Sequence, residues 1–317
     1  MNSLNRQVEE SRQSMREEVL EGLRRPQKSL PSKYFYDERG SRLFEQITRL
    51  KEYYPTRTEK AIMQQHMPEI AEYIAGDSVL VELGSGSSKK TRLLLDHLTN
   101  IAAYVPVEIS EKYLAEVVGT LKQDYPNLLI KPVCADYTKP FQVPPIQNPH
   151  TYYVLFYPGS TIGNFRPCQA QQFLETISRI LNPGGGMIIG VDLKKDKKIM
   201  EVAYNDKKGI TAAFNKNILR HINRELDANF DLDNYRHKAF FNEKEGRIEM
   251  HLVSEKEQEV AVASETFLIE EGESIHTENS YKYTLEEFEK LVHPWFSVQK
   301  VWTDKNDHFS VQYLQKK

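Results

Sequence analysis

The chain has 317 residues, 39% hydrophobic and 27% charged, with a net charge of −3. That length can bury a sizeable core, as one large domain or two smaller ones. The balanced charge excludes a global basic field for nucleic acid, the apolar runs are too short for a membrane span, and from the polar opening stretch no secretory leader is expected.

Residues 1 to about 25 read as a charged helix, broken by Pro26 and Pro31. Helical patterns follow at Ser41–Leu50 and Thr58–Ile74, the second with Thr58 as its expected cap. Strands are then expected at Ser78–Glu82, Ala102–Ile109, Leu128–Cys134, Thr151–Tyr157 and Gly185–Val191. Helices at Lys89–Leu98, Tyr113–Asp124 and Cys168–Leu181 alternate with them, which predicts parallel βαβ units. Beyond Lys194 come helices at Ile199–Tyr204 and Ile210–Leu226. Short strands are expected at Lys238–Asn242, Arg247–Ser254, Glu259–Ala263 and Glu265–Ile269, with a hairpin turn over Glu243–Gly246. A helix at Leu285–Val292 and an antiparallel pair, Phe296–Thr303 with Phe309–Leu314, close the chain. The fold class is therefore α/β: a doubly wound sheet interrupted by an α+β insertion before its last two strands.

The most informative stretch is Val79–Thr91, in which an apolar run ends in Glu82, turns on Gly84 and Gly86, and opens a helix. Such a turn lets backbone approach a bound nucleotide. Lys89 stands where a dinucleotide fingerprint wants a third glycine, and no P-loop pattern occurs. The E-x-G-x-G form fits class I S-adenosylmethionine (SAM) methyltransferases; a dinucleotide site and a purely structural turn stay open on this motif alone. In an open α/β sheet ligands bind beyond the carboxyl ends of the strands. That rule selects Glu108 for ribose hydroxyls, Asp136 for an adenine amine, Tyr137 for stacking, and Gly159–Asn164 opposite a transferable methyl group. Lys89 and Lys90 open a helix, where cations oppose the dipole; pairing of one with a ligand carboxylate would explain them. Cys134 and Cys168 lack CxxC spacing and the nine histidines lack H-E-x-x-H spacing, so no metal and a reducing cytoplasm are expected.

Four segments, KYFYDERGS (33–41), EYYPTRTE (52–59), ELGSG with Lys90-Thr91, and GSTIGN (159–164), together resemble the L-histidine Nα-methyltransferase family of ergothioneine biosynthesis. Similarity continues through Tyr204-Asn205-Asp206, Thr211–Asn215, Asn223–Leu226, Arg247–Met250 and Thr277–Ser280. The resemblance implies a SAM-binding Rossmann-like domain over 61–195 and 284–317, and a substrate-binding domain over 1–60 and 196–283. It implies cofactor contacts from Tyr36, Gly84, Gly86, Lys90, Glu108, Asp136 and Tyr137. Tyr53, Asn164 and Tyr204 would hold the substrate amine and carboxylate, with Tyr53 and Asn164 at the reacting amine. Met250 would line the side-chain pocket, and Glu278 and Ser280 would bind the imidazole nitrogens. The implied activity is threefold methylation of histidine to hercynine; tryptophan or another amine is the alternative substrate. A cytoplasmic monomer with a small-molecule substrate, no nucleic acid and no membrane partner is expected.

Overall fold

A computed structural model describes residues 3–74, 76–86, 88–98, 100–147 and 152–317. Ser87 of the glycine turn, the side chain of Lys89, and Thr151 at the expected start of a strand lie outside the described residues. In chain order the elements begin with α1 (Ser3–Leu23), α2 (Glu38–Ile47), α3 (Tyr54–Glu72), β1 (Val79–Leu83), α4 (Lys89–Leu95) and β2 (Ala103–Glu108). Next come α5 (Glu111–Asp124), β3 (Val133–Cys134), β4 (Tyr153–Tyr157), α6 (Pro167–Ser178), β5 (Gly186–Asp192), α7 (Lys197–Tyr204) and α8 (Ile210–Leu226). The remainder is β6 (Tyr235–Asn242), β7 (Arg247–Ser254), β8 (Gln258–Val262), β9 (Glu265–Ile269), β10 (Ser274–Tyr281), α9 (Leu285–Val292), β11 (Phe296–Thr303) and β12 (Phe309–Lys316).

Four local departures from the sequence reading have physical causes. Helix α2 starts at Glu38 rather than Ser41, because Asp37 caps it by accepting from the Gly40 N–H at 2.8 Å. Helix α3 starts at Tyr54, upstream of Thr58; Pro55 in its first turn has no N–H to leave unpaired. Strand β3 is only two residues long, Val133 and Cys134, since Pro132 cannot donate to the ladder and separates them from Ile130, which makes an isolated parallel bridge to Tyr104 of β2. Strand β10 was absent from the sequence reading, because Ser274–Ser280 carries polar residues on both parities and shows no apolar alternation.

The chain divides into two compact units: residues 1–53 with 197–279, and residues 54–196 with 280–317. The second unit holds a seven-stranded sheet of order β11-β12-β5-β4-β1-β2-β3. Strands β1 to β5 pair in parallel and β12 runs antiparallel to β5 and β11. One face, through Val79, Val81, Leu155 and Tyr157, buries against Phe173, Leu174 and Ile177 of α6 and Phe288 and Val292 of α9. The other, through Leu80, Tyr104, Val154 and Phe156, buries against Ile62, Met63 and Ile70 of α3, Leu94 of α4 and Leu121 of α5. Each fully buried aliphatic or aromatic side chain here contributes roughly 1.5–3 kcal/mol. The strand order reverses between β1 and β4, the crevice where such sheets bind ligands. The first unit holds the three-stranded sheet β10-β7-β6 and the hairpin β8-β9. Asn242 registers with Arg247 at the predicted hairpin turn.

Candidate functional site

In the sheet unit, the residues expected at the cofactor follow the carboxyl ends of β1, β2 and β3. Gly84 has φ +72°, and a Cβ there would stand 3.3 Å from the Tyr137 ring. Tyr137 therefore lies directly over the glycine turn, edge-on to Tyr157 and Phe173. Burial pushes its phenol well above the usual range. The Ser85 hydroxyl in the same turn is buried with no hydrogen-bond partner among the described residues. Glu108 ends β2 with its Oε2 accepting from Gly86 N–H at 3.1 Å and its Oε1 from Ile109 and Ser110 N–H. Burial raises its carboxyl, and these backbone donors oppose the rise. A carboxylate accepts about four hydrogen bonds, so about one acceptor position remains beyond these three, fewer than bidentate capture of two ribose hydroxyls uses. Asp136 is half-buried, and its Oδ1 accepts from Thr138 N–H at 3.0 Å.

Beneath the turn, Glu82 is buried and accepts from Thr91 and Tyr104 hydroxyls. Desolvation lifts its carboxyl to about 7 against the pull of those two donors. Lys90, expected at a ligand carboxylate, pairs with Glu59, a fully buried acid on α3. The other oxygen of Glu59 accepts from Gly159 N–H at 2.8 Å. Glu59 thus ties Lys90 to the loop after β4. That loop carries Ser160 in the left-handed region (φ 57°), uncommon for a residue with a Cβ and typical of a functional site. A Cβ on Gly163 would sit 2.8 Å from the Tyr281 carbonyl oxygen and 3.6 Å from the Ser280 carbonyl carbon. The segment bearing Asn164 and the strand bearing Ser280 therefore meet at backbone contact.

At the end of β5, Asp192 is buried with two lysines, Lys282 at 2.8 Å and Lys195 at 2.5 Å. The Tyr54 hydroxyl donates to the same carboxylate. Burial would raise Asp192, but the two ammonium groups hold it below its ordinary value. Burial and the neighbouring Lys282 charge bring Lys195 down to about 8, against the attraction of Asp192. Lys282 also donates to Ser280 Oγ at 2.6 Å.

In the other unit, Tyr53 and Tyr204 are buried and meet edge-to-face at 6.1 Å. Phe44 links Tyr53 (6.3 Å) to Tyr36 (5.7 Å). A polar hub supports this cluster. Asn215 Nδ2 donates to His237 Nδ1 and to the His251 carbonyl, while its oxygen accepts from Thr277, and Thr277 also reaches the Met250 carbonyl. Since the Asn215 amide nitrogen can only donate, His237 carries its hydrogen on Nε2 and gives it to the Tyr204 carbonyl at 2.9 Å. Burial lowers His237, against the Tyr204 carbonyl and Asp206, which favours that neutral form.

Glu278 lies two residues beyond His276, whose Nε2 donates to the Glu278 carbonyl at 2.9 Å. Strand pairing brings atoms of Glu249, His251 and His276 within 4.8 Å of one another. Glu249 is already engaged by Arg247 and His251. The two imidazoles stack at 4.7 Å and 12°, so their in-plane lone pairs run side by side rather than converging. Burial and His251 bring His276 down to about 4.

Glu59, Asp192, Lys282, Asn215 and His237 were not identified from the sequence. Lys282 had a readable signal: in extended chain, residues two apart share a face, and Lys282 follows Ser280 by two. The others act across long sequence separations and leave no local pattern.

A family model described as histidine-specific methyltransferase, SAM-dependent, matches residues 15–316. The chain is 40% identical over 275 residues to the histidine N-alpha-methyltransferase of Mycobacterium tuberculosis, covering 85% of this chain and 84% of that protein. Identity is likewise 40% over 305 residues to the protein of that name in Mycolicibacterium smegmatis, covering 94% of each. Ergothioneine biosynthesis protein 1 of Neurospora crassa is 33% identical over 282 residues, 83% of this chain and 30% of that longer protein.

Proposed function

Because the chain belongs to the family of SAM-dependent, histidine-specific methyltransferases, we propose that it methylates the α-amine of L-histidine three times, yielding hercynine for ergothioneine biosynthesis. SAM supplies an activated methyl group with its own leaving group, so the protein's work is binding, orientation and electrostatics. The residues of the sheet unit fit that donor: a glycine turn left open at Gly86, a Ser85 hydroxyl without a partner among the described residues, the remaining acceptor of Glu108, and the Tyr137 ring. Gly84, Gly86, Asp136, Lys90 and Tyr36 complete the proposed cofactor set. Lys90 reaches the methionyl carboxylate while Glu59 fixes its position. The sheet unit is thus read as the SAM-binding domain and the other as the substrate domain.

Asn164 and Tyr53 orient the reacting amine, and Tyr204 binds the substrate carboxylate. A phenol of reference pKa about 10 is a poor base at neutral pH, so Tyr53 positions the amine and solvent takes its proton. Met250 lines the side-chain pocket, Glu278 accepts from the imidazole N–H, and Ser280 serves the other nitrogen. The observation that carries this reading is the backbone contact of Gly163 with Tyr281, which makes neighbours of the segments bearing Asn164 and Ser280. No helix among the described residues is long and apolar enough to cross a membrane. The reading has a cytoplasmic monomer that acts without a metal or macromolecular partner.

Steady-state kinetics over histidine, tryptophan, tyrosine and simple amines tests the substrate. Indole lacks the second ring nitrogen, and an unpaired buried polar group costs about 1–3 kcal/mol, so kcat/KM should favour histidine over tryptophan by about tenfold or more. Equal turnover of tryptophan would move the function to that alternative.

A further inference from the structure

Resting on the assignment of Ser280 to the imidazole, we infer that Lys282 is a positioning residue that makes Ser280 a hydrogen-bond donor and selects the neutral imidazole of the substrate. Lys282 is 2% exposed and its ammonium stands 2.6 Å from Ser280 Oγ. An ammonium has three donors and no acceptor, so Ser280 is the acceptor in that bond. One lone pair is consumed, and the adjacent cation polarises the hydroxyl toward giving its hydrogen away. The natural partner for that hydrogen is a ring nitrogen with a free lone pair. An imidazolium offers none, and would place a second cation beside Lys282 in a buried setting, where like charges repel strongly.

The surroundings hold Lys282 in this role. Asp192, at the end of β5, accepts from it at 2.8 Å and is shared with Lys195 and with the Tyr54 hydroxyl from the start of α3. The cluster holds two ammonium groups, with Asp192 between them and Asp304 also acting on Lys195. The Lys282 ammonium, in direct contact with Ser280, opposes protonation of a ring held there, against the pull of the Glu278 carboxylate assigned to the other ring nitrogen.

The experiment is the pH dependence of KM for L-histidine between pH 5 and 8 in wild type, Lys282→Met, Lys282→Gln and Ser280→Ala. The imidazole has a reference pKa of about 6.5. Wild-type KM should rise about tenfold per unit below it, because only the neutral ring binds. Lys282→Gln keeps a donor to Ser280 without the charge; KM at pH 8 should stay within about threefold of wild type while the acid limb flattens. Lys282→Met should raise KM at pH 8 about tenfold, leave kcat and SAM binding little changed, and flatten the acid limb. A flat wild-type profile, which needs no variant, overturns the inference. So do limbs of equal slope in wild type and the Lys282 variants while Ser280→Ala still raises KM. If Ser280→Ala leaves the histidine KM unchanged at every pH, the assignment of Ser280 itself fails, and the inference with it.

Discussion

Glu82 is the buried acid beneath the glycine turn, and replacing it with glutamine gives the sharpest stability prediction. Desolvation sets its folded pKa at about 7, against 4.5 for an ordinary glutamate. Between those values the folded state holds a proton that the unfolded chain has released. Stability from this group is therefore fully present below pH 4.5 and is lost as pH rises toward 7. At 1.36 kcal/mol per unit the total is ~3 kcal/mol. Glu82→Gln retains the shape and cannot titrate, so the difference in unfolding free energy between variant and wild type should shift toward the variant by ~3 kcal/mol from pH 4.5 to 7.5. The assay is urea unfolding followed by tryptophan fluorescence. Trp295 and Trp302 are the only tryptophans, and both lie in the same compact unit as Glu82. A difference that stays constant across that range would refute the argument that burial dominates at Glu82.

Two further substitutions probe the site. Glu278→Ala should raise the histidine KM by about tenfold or more and leave SAM affinity within about twofold; equal losses for both ligands would detach Glu278 from the substrate. Gly163→Ala places a Cβ 2.8 Å from the Tyr281 carbonyl oxygen. Overpacking of this kind costs about 1–3 kcal/mol, and displacing Asn164 by a fraction of an ångström should lower kcat about tenfold or more. Unfolding and turnover measured on one preparation separate the two effects, and wild-type values for both would exclude the contact as a constraint.

Much of the α/β architecture was legible because its strands are apolar runs alternating with amphipathic helices. Val79–Leu83, Ala103–Glu108 and Gly186–Asp192 all stand within a residue or two of their expected bounds. Leu285–Val292 and Arg247–Ser254 coincide with theirs. Strand β10 was not legible. Its residues are polar on both parities because His276 stacks on His251 and Thr277 bonds Asn215, so neither parity reads as an apolar core face. The glycine turn and the acid after β2 were visible as motifs. What was invisible is the set of groups that hold them: Glu59 bridging Lys90 and Gly159, Asp192 between two lysines, and Asn215 fixing the tautomer of His237. Apart from Asp192 and Lys195, three positions apart, these pairs join residues between 22 and 100 positions apart, and only the fold makes them neighbours. The three backbone donors already on Glu108 were equally hidden, although they limit what its carboxylate can offer a ribose.

The most direct test of the central claim is mass spectrometry of the product after incubation of the purified protein with SAM and L-histidine. The account predicts hercynine, histidine carrying three methyl groups on its α-nitrogen, with SAM consumed in proportion. Unmodified histidine in the presence of bound SAM would contradict it and turn the search to other amino acids and amines.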